Sequence, residues 1–328
     1  MIEFLTDYGL FTAKLVTIVV AVLFLFGLLF SMVSHARQSD DVHLRVKSLN
    51  QKYDDMHIAL SAATLPRKAF KQTLKQLKVQ HKQEEKRMVQ ADGPKNLYVL
   101  MFNGDIQASA VAPLRESITA ILTIATPRDE VLVKLESVGG TIHGYGLAAS
   151  QLRRVRDKGI QLTVAVDKVA ASGGYMMACV ANRIIAAPFA IIGSIGVVAQ
   201  LPNFNRLLKN LDIDFEQITA GEFKRTLTLF GENTEKGREK FREDIEEAHR
   251  LFKAFIVEQR GQVDIDRIAT GEHWYGKRAL ELELVDELRT SDDYLYEASQ
   301  SARVYAVSYQ YRKSWLEKFL SRNLQMST

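Results

Sequence analysis

Hydrophobic and polar positions divide the chain into three regimes. From Leu15 to Val33 the run LVTIVVAVLFLFGLLFSMV holds 19 residues without a charge. At about 1.5 Å rise per residue such a run crosses the hydrocarbon of a bilayer, which predicts a retained membrane helix over 15–33 within an N-terminal segment 1–37. A cleaved signal peptide is the competing reading, but its apolar core would be shorter, and SMVSHAR is a poor small-residue cleavage site. From 38 to 95 polarity dominates. After Pro66 the stretch RKAFKQTLKQLKVQHKQEEKRM sets Phe70, Leu74 and Leu77 at helical spacing among lysines. It predicts a basic helical stalk: solvated, paired with sister chains, or resting on anionic lipid. ADGPK at 91–95 breaks that pattern and marks the start of a third region, 96–328.

In this third region strands and helices alternate. LYVLMF (97–102), EVLVKLES (130–137), QLTVAVD (161–167), RIIAA (183–187) and IIGSIGVV (191–198) read as largely buried strands. VAPLRESITAILTIA (111–125) and YGLAASQLRRVRD (145–157) read as helices between them. Such alternation predicts an α/β fold with a parallel sheet. Pro188, Gly193, Ser194 and Gly196 cut the apolar stretch 184–201 into pieces too short for a second membrane crossing. FEQITA (215–220) is expected as a strand. A long helix follows, capped by Asn233 or Thr234, with Phe241, Ile245, Leu251, Phe252 and Phe255 as its apolar side. LVDEL (284–288) and RVYAVSY (303–309) are expected as short returning strands.

Charge changes the picture only through its distribution. The net +4 is too mild for a nucleic-acid partner, and no basic run is interleaved with aromatics. Between Arg37 and Lys95, however, 13 Lys/Arg face 7 Asp/Glu, so the basic excess lies beside the membrane helix. Lys14 stands on one side of that helix, and Arg37, Arg45, Lys47 and Lys52 on the other. By the positive-inside rule this leaves the large domain in the cytoplasm. The single cysteine, Cys179, excludes an internal disulfide framework and reads as a small core residue.

Candidate chemistry gathers at DKVAASGGYMMACVA (167–181). Ser172 stands at a strand-to-helix turn, flanked by small residues that allow a sharp bend. There Oγ can project into a cleft, and the following N–H lies at a helix N-terminus, as an oxyanion hole requires. The turn is not the G-x-S-x-G elbow. Read alone, Ser172 serves equally well as a helix N-cap. A nucleophilic serine needs a base. His35, His43, His57 and His81 fall in the membrane flank or stalk, and His249 sits in a charged helix as a solvated side chain. His143 and His273, in glycine-containing turns, remain as bases, as do Lys168 and Lys224 if the amine is desolvated. ESVGG (136–140) offers bare N–H groups after a strand. Paired carboxylates, metal-ligand clusters and phosphate loops are absent from the sequence, so no cofactor is implied.

Taken together and in order, LESVGG, HGYGLAASQLRRVRDK, VDKVAASGGYMMACVA, PFAIIGSIGVVAQLPNFNR, GEFKRTLTLFGENTEKGREKFRE and ATGEHWYG resemble the signal peptide peptidase A family of serine proteases, most nearly its SohB-type inner-membrane peptidases. The resemblance implies a Clp-protease/crotonase-like α/β fold and a Ser–Lys dyad. In that reading Ser172 is the nucleophile, Lys224 the general base, and Ser194 the residue that positions the lysine amine. Gly139, Gly140 and Gly173 form the oxyanion hole. It also implies membrane-derived peptide substrates, a homo-oligomer whose sites are shared between protomers, contact with membrane lipid, and a periplasmic catalytic domain, against the flanking charge. Ser172 and Lys224 of one chain are then expected not to meet. Two positions depart from the family pattern. Val138 replaces a proline in the turn before Gly139, and Glu283 replaces a glycine suited to a helix C-cap. A silent scaffold on the same fold and a crotonase-like acyl-thioester enzyme are the alternatives.

Overall fold

The computed structural model describes residues 2–36, 42–88 and 94–311. Most of the 91–95 breaker therefore lies outside the described residues, as does the chain beyond 311. The chain divides into two units, residues 1–44 with 309–328, and residues 45–308. In the first, α1 (Ile2–Ala36) contains an apolar window, Tyr8–Leu25, long enough to cross a membrane. It starts earlier than the 15–33 segment because flanking polar residues continue the helix.

The second unit is an α/β domain. The strands of the chain, of which β1 and β10 extend past the bounds of this unit, are β1 (Val42–Ser48), β2 (Asn96–Gly104), β3 (Glu130–Ser137), β4 (Gln161–Val166), β5 (Val169–Ala171), β6 (Arg183–Ala186), β7 (Ile191–Gly193), β8 (His273–Tyr275), β9 (Glu287–Leu288) and β10 (Arg303–Tyr311). The helices of this unit include α2 (Leu49–Thr64), α3 (Arg67–Met88), α4 (Val111–Leu122), α5 (Ile142–Asp157), α6 (Gly173–Ala178), α7 (Asn205–Asn210), α8 (Glu235–Gln259), α9 (Ile265–Ile268) and α10 (Gly276–Glu281).

The sheet runs β1-β10-β2-β3-β4-β6-β9. A short arm leaves it where β5 pairs with the end of β3 and then with β7, while β8 closes the arm antiparallel. Both faces of the central strands are buried. Val131, Val133 and Leu135 pack with Tyr145, Leu152 and Met177 on one face, and Leu97, Leu132, Ala165 and Ile185 pack together on the other. Burial on both faces accounts for the near-continuous apolar runs of these strands. Cys179 is fully buried in the larger core, and burial pushes its thiol pKa up, as a core residue requires.

Several expectations need correction. IIGSIGVV pairs only over 191–193, because Gly193 (φ +102°) and Ser194 (φ +51°) turn the chain out of the sheet. Residues 215–220 form no strand, and Ile218 is 95% exposed. From 196 to 233 the chain is irregular apart from α7. In α8, Thr234 caps as expected by accepting from the Gly237 N–H at 3.1 Å. Leu251 nevertheless faces outward, while Phe252 and Ile256 carry the burial. His249 is not solvated, since its Nε2 is buried. The start of the basic segment is tied down. Asn50 donates to the carbonyls of Ser299 and Ala302 and accepts from the Val304 N–H at 2.7 Å.

Candidate active site

Strands β2, β3, β5 and β7 are parallel and end together. Gly104 is registered with Ser137, Ser137 with Ala170, and Ala171 with Gly193. The loops leaving these ends converge on one cleft of about 800 Å³. In open α/β sheets this carboxyl edge is where ligands bind.

Ser172 follows the registered pair Ala171–Gly193 by one residue, and so does Ser194. The pairing therefore sets the two serines side by side at the cleft. Ser172 has φ +52° and ψ −118°, a conformation that glycine adopts easily and serine does not. It is held there by its own N–H donating to the Gly193 carbonyl at 2.8 Å and by its carbonyl accepting from the Met176 N–H at 3.0 Å. It occupies the N-cap position of α6, but its side chain makes no cap hydrogen bond. Capping does not explain the residue; the backbone turns the hydroxyl toward the cleft instead. Ser194 is equally strained at φ +51° and is fixed by its N–H to the Glu272 carbonyl at 2.7 Å.

The Val138–Gly139–Gly140 turn forms the opposite wall. Gly139 has φ +91°, and an added Cβ would lie 2.7 Å from the Gly173 nitrogen. At Gly140 an added Cβ would lie 2.1 Å from the Ile106 carbonyl oxygen, which instead accepts from the Thr141 N–H at 2.8 Å. Behind the turn runs a proton-ordered chain. Tyr145 Oη donates to the Asp105 carbonyl at 2.8 Å, spending its one proton. Ser137 Oγ must therefore donate to Tyr145 Oη, 2.5 Å away, and it accepts from the Gly139 N–H at 3.1 Å. Burial raises the Tyr145 pKa, which keeps the phenol protonated for this role. The Gly139 N–H is thus committed to the turn. The N–H groups of Gly140 and Gly173 make no hydrogen bond to any described residue.

Lys224 does not line the cleft. It lies exposed in the irregular segment, fixed only through its backbone N–H to the Gly221 carbonyl at 3.2 Å. Its amine makes no hydrogen bond to Ser172 or to any other described residue. Of the remaining candidates, Lys168 is paired with Glu136 at 3.0 Å, and His273 lies exposed on β8. His143 lies in the first turn of α5 and lines the cleft. Apolar walls come from Ile106, Val138 and Met176, and from Ile245 and Phe252 of α8. That helix is anchored by buried Arg260, which is bidentate to Asp286 at 2.9 Å, and by Glu258 with Arg153 at 2.8 Å. Sequence reading missed the Ser137–Tyr145 support, because a strand end and a helix turn carry no joint motif.

The description "Peptidase family S49 N-terminal" matches residues 3–152, and "Peptidase family S49" matches residues 154–305. The chain is 49% identical to "Probable protease SohB" of Haemophilus influenzae, over 97% of this chain and 92% of that one. It is 47% identical to "Probable protease SohB" of Buchnera aphidicola subsp. Schlechtendalia chinensis, over 89% of this chain and 99% of the relative. Among solved structures, the 1510-N membrane-bound stomatin-specific protease is similar at a TM-score of 0.42 and 13% identity, covering 63% of this chain and 85% of its own. ClpP1 from Listeria monocytogenes is similar at a TM-score of 0.40 and 14% identity, covering 60% and 92%. The two family models and the SohB relatives define a peptidase. The chain belongs to peptidase family S49 and is of its SohB type.

Proposed function

We propose that the chain is a membrane-anchored serine endopeptidase that cuts signal-peptide remnants and other membrane-derived peptides with a Ser172–Lys224 dyad. The registered pair Ala171–Gly193 carries this reading, because it presents a strained, uncapped serine beside the unpartnered N–H groups of Gly140 and Gly173. Lys224 removes the Ser172 proton as Oγ attacks the peptide carbonyl. The Gly140 and Gly173 N–H groups receive the oxyanion, while Gly139 shapes the turn. Lysine then protonates the leaving amine, and water releases the acyl group. Ser194, beside Ser172, positions the amine. The apolar walls suit small or apolar side chains next to the cut.

The exposed position of Lys224 supports a site completed by a neighbouring protomer in a homo-oligomer. The segment carrying it exposes Val198, Leu207, Leu211, Ile218 and Phe223, an apolar surface that a second copy would cover. Helix α1 anchors the assembly in the bacterial inner membrane. Exposed Lys71, Lys75 and Lys78 of α3 face anionic lipid, and the catalytic domain lies in the periplasm. A reporter active on only one side of the membrane, fused to the C-terminus, tests the orientation.

The deciding experiment is cleavage of apolar signal-peptide-like substrates by detergent-purified protein, beside Ser172→Ala and Lys224→Ala. Cleavage by wild type, with both variants assembled and silent, establishes the dyad. Cleavage by Lys224→Ala overturns the assignment of the base, and cleavage by Ser172→Ala that of the nucleophile.

A further inference from the structure

His143 is the one ionisable side chain among the residues lining the Ser172 cleft, and the serine–lysine chemistry gives it no task. Every other lining residue is apolar, a glycine, or a hydroxyl residue. We infer that His143 is a specificity residue that selects substrates carrying a carboxylate within about three residues of the cut. The inference rests on the peptidase reading above and adds a substrate class to it.

Reach sets the position. Gly140, a proposed oxyanion donor, is three residues before His143. At about 3.6 Å per residue their backbones are at most about 11 Å apart, and an extended peptide advances about 3.3 Å per residue. The imidazole therefore addresses substrate positions one to three residues from the scissile bond.

Chemistry sets the class. His143 is exposed within the lining of the cleft, and a carboxylate is the peptide acceptor that best satisfies its ring N–H. The N-terminus of the 16-residue helix α5 adds to this preference. Its N-cap residue, Thr141, makes no side-chain cap bond, and the Thr141 Oγ1 is buried without a partner among the described residues. Charges on the neighbouring segments are engaged or turned away. Asp105 is held by the Ser109 N–H and hydroxyl, and Glu272 accepts from Thr270. Arg153 pairs with Asp157 and Glu258. On α8, Asp244 pairs with Lys240, and Arg242, Glu246 and Arg250 are exposed. His249 shares the helix face of Ile245 and Phe252, with Nε2 buried and unpartnered among the described residues.

The test uses the full-length protein in detergent. Peptide pairs carry Glu or Gln at each of the three positions on either side of the cut, and each is made with a free or an amidated C-terminus. Wild type should favour the carboxylate peptide about tenfold in kcat/KM, mainly through KM. His143→Gln should erase the preference, and His143→Lys should keep it. A preference that follows internal Glu assigns a side-chain carboxylate; one that follows the free terminus assigns a chain end. No preference in wild type, or one unchanged in His143→Gln, overturns the inference. An equal fall in kcat on every peptide in His143→Gln also overturns it and makes His143 the base. If wild type cleaves nothing, the peptidase reading fails separately. Fluorescence anisotropy of the same labelled peptides on Ser172→Ala, with and without His143→Gln, then decides the inference. A Glu-over-Gln affinity gap lost with His143 supports it, and no gap overturns it.

Discussion

Ser137 Oγ and Tyr145 Oη lie 2.5 Å apart in the buried wall behind the Gly139–Gly140 turn, with the proton on the serine. The order is forced, because Tyr145 spends its own proton on the Asp105 carbonyl. Tyr145→Phe leaves the Ser137 hydroxyl without its acceptor and takes one of two donors from that carbonyl, which keeps the Ala108 N–H at 3.0 Å. The expected outcome is a loss of about 1–3 kcal/mol in urea unfolding. A fall of roughly tenfold in kcat, with KM little changed, should accompany it as the turn loosens. An unaltered kcat would show that the chain does not hold the oxyanion donors.

The strain at Ser172 gives a stability prediction opposite in sign to its activity prediction. With φ +52° and ψ −118°, the position suits glycine. Ser172→Gly should silence peptide cleavage yet raise the melting temperature by about 2–4 °C, corresponding to ~1 kcal/mol of relieved strain. Ser172→Ala keeps the Cβ and the strain, and should be equally silent without that gain. Differential scanning fluorimetry of the two variants separates them.

Two silent variants should repair one another if the site is shared between protomers. Ser172→Ala and Lys224→Ala subunits, each inactive alone, are dissociated, mixed and reassembled. Recovery of about a quarter of wild-type activity is expected, from neighbours that pair one intact serine with one intact lysine. Mixtures that stay silent while assembling normally would place both residues in one chain's site.

Glu283 sits in the left-handed region at φ +60°, immediately after the C-cap of α10. Its N–H donates to the Leu280 carbonyl at 3.0 Å, and the Leu284 N–H donates to the Ala279 carbonyl at 2.9 Å, which together form a Schellman motif. The backbone places Glu283 at the C-cap turn that the resemblance assigns to a glycine, in a conformation a side chain disfavours. Glu283→Gly should stabilise the protein by about 0.5–1 kcal/mol, read as a higher melting temperature with peptide cleavage retained.

Asp129 supplies an acid-sensitive term. Burial opposes its ionisation most strongly, but the N–H groups of Thr126 and Asn96, with their side chains, outweigh that and hold its pKa below the usual carboxylate range. A lowered pKa adds stability that is present above the unfolded value, near about 4, and is lost as pH falls through the folded one. Thermal melts from pH 7 down to pH 3 should therefore fall less steeply for Asp129→Asn than for wild type. Parallel curves would remove Asp129 from the acid response.

What the sequence determined by itself was local. Charge-free length marks α1 as long and apolar enough to cross a membrane, because a bilayer asks only for apolar residues over enough rise. Doubly buried strands show as apolar runs, and Asn233 or Thr234 shows as a helix start, because propensity and capping act within a few residues. Ser172 was visible through its small neighbours. What only the tertiary structure decided involves partners distant in sequence. Pairing of β5 with β7 brings Ser194 beside Ser172, and Tyr145 reaches Ser137 from a different element. His143 enters the cleft because α5 starts at Ile142, three residues earlier than its apolar periodicity indicates. Residues 215–220 read as a strand but lie exposed, because a strand needs a partner edge as well as propensity, and no described strand pairs with them.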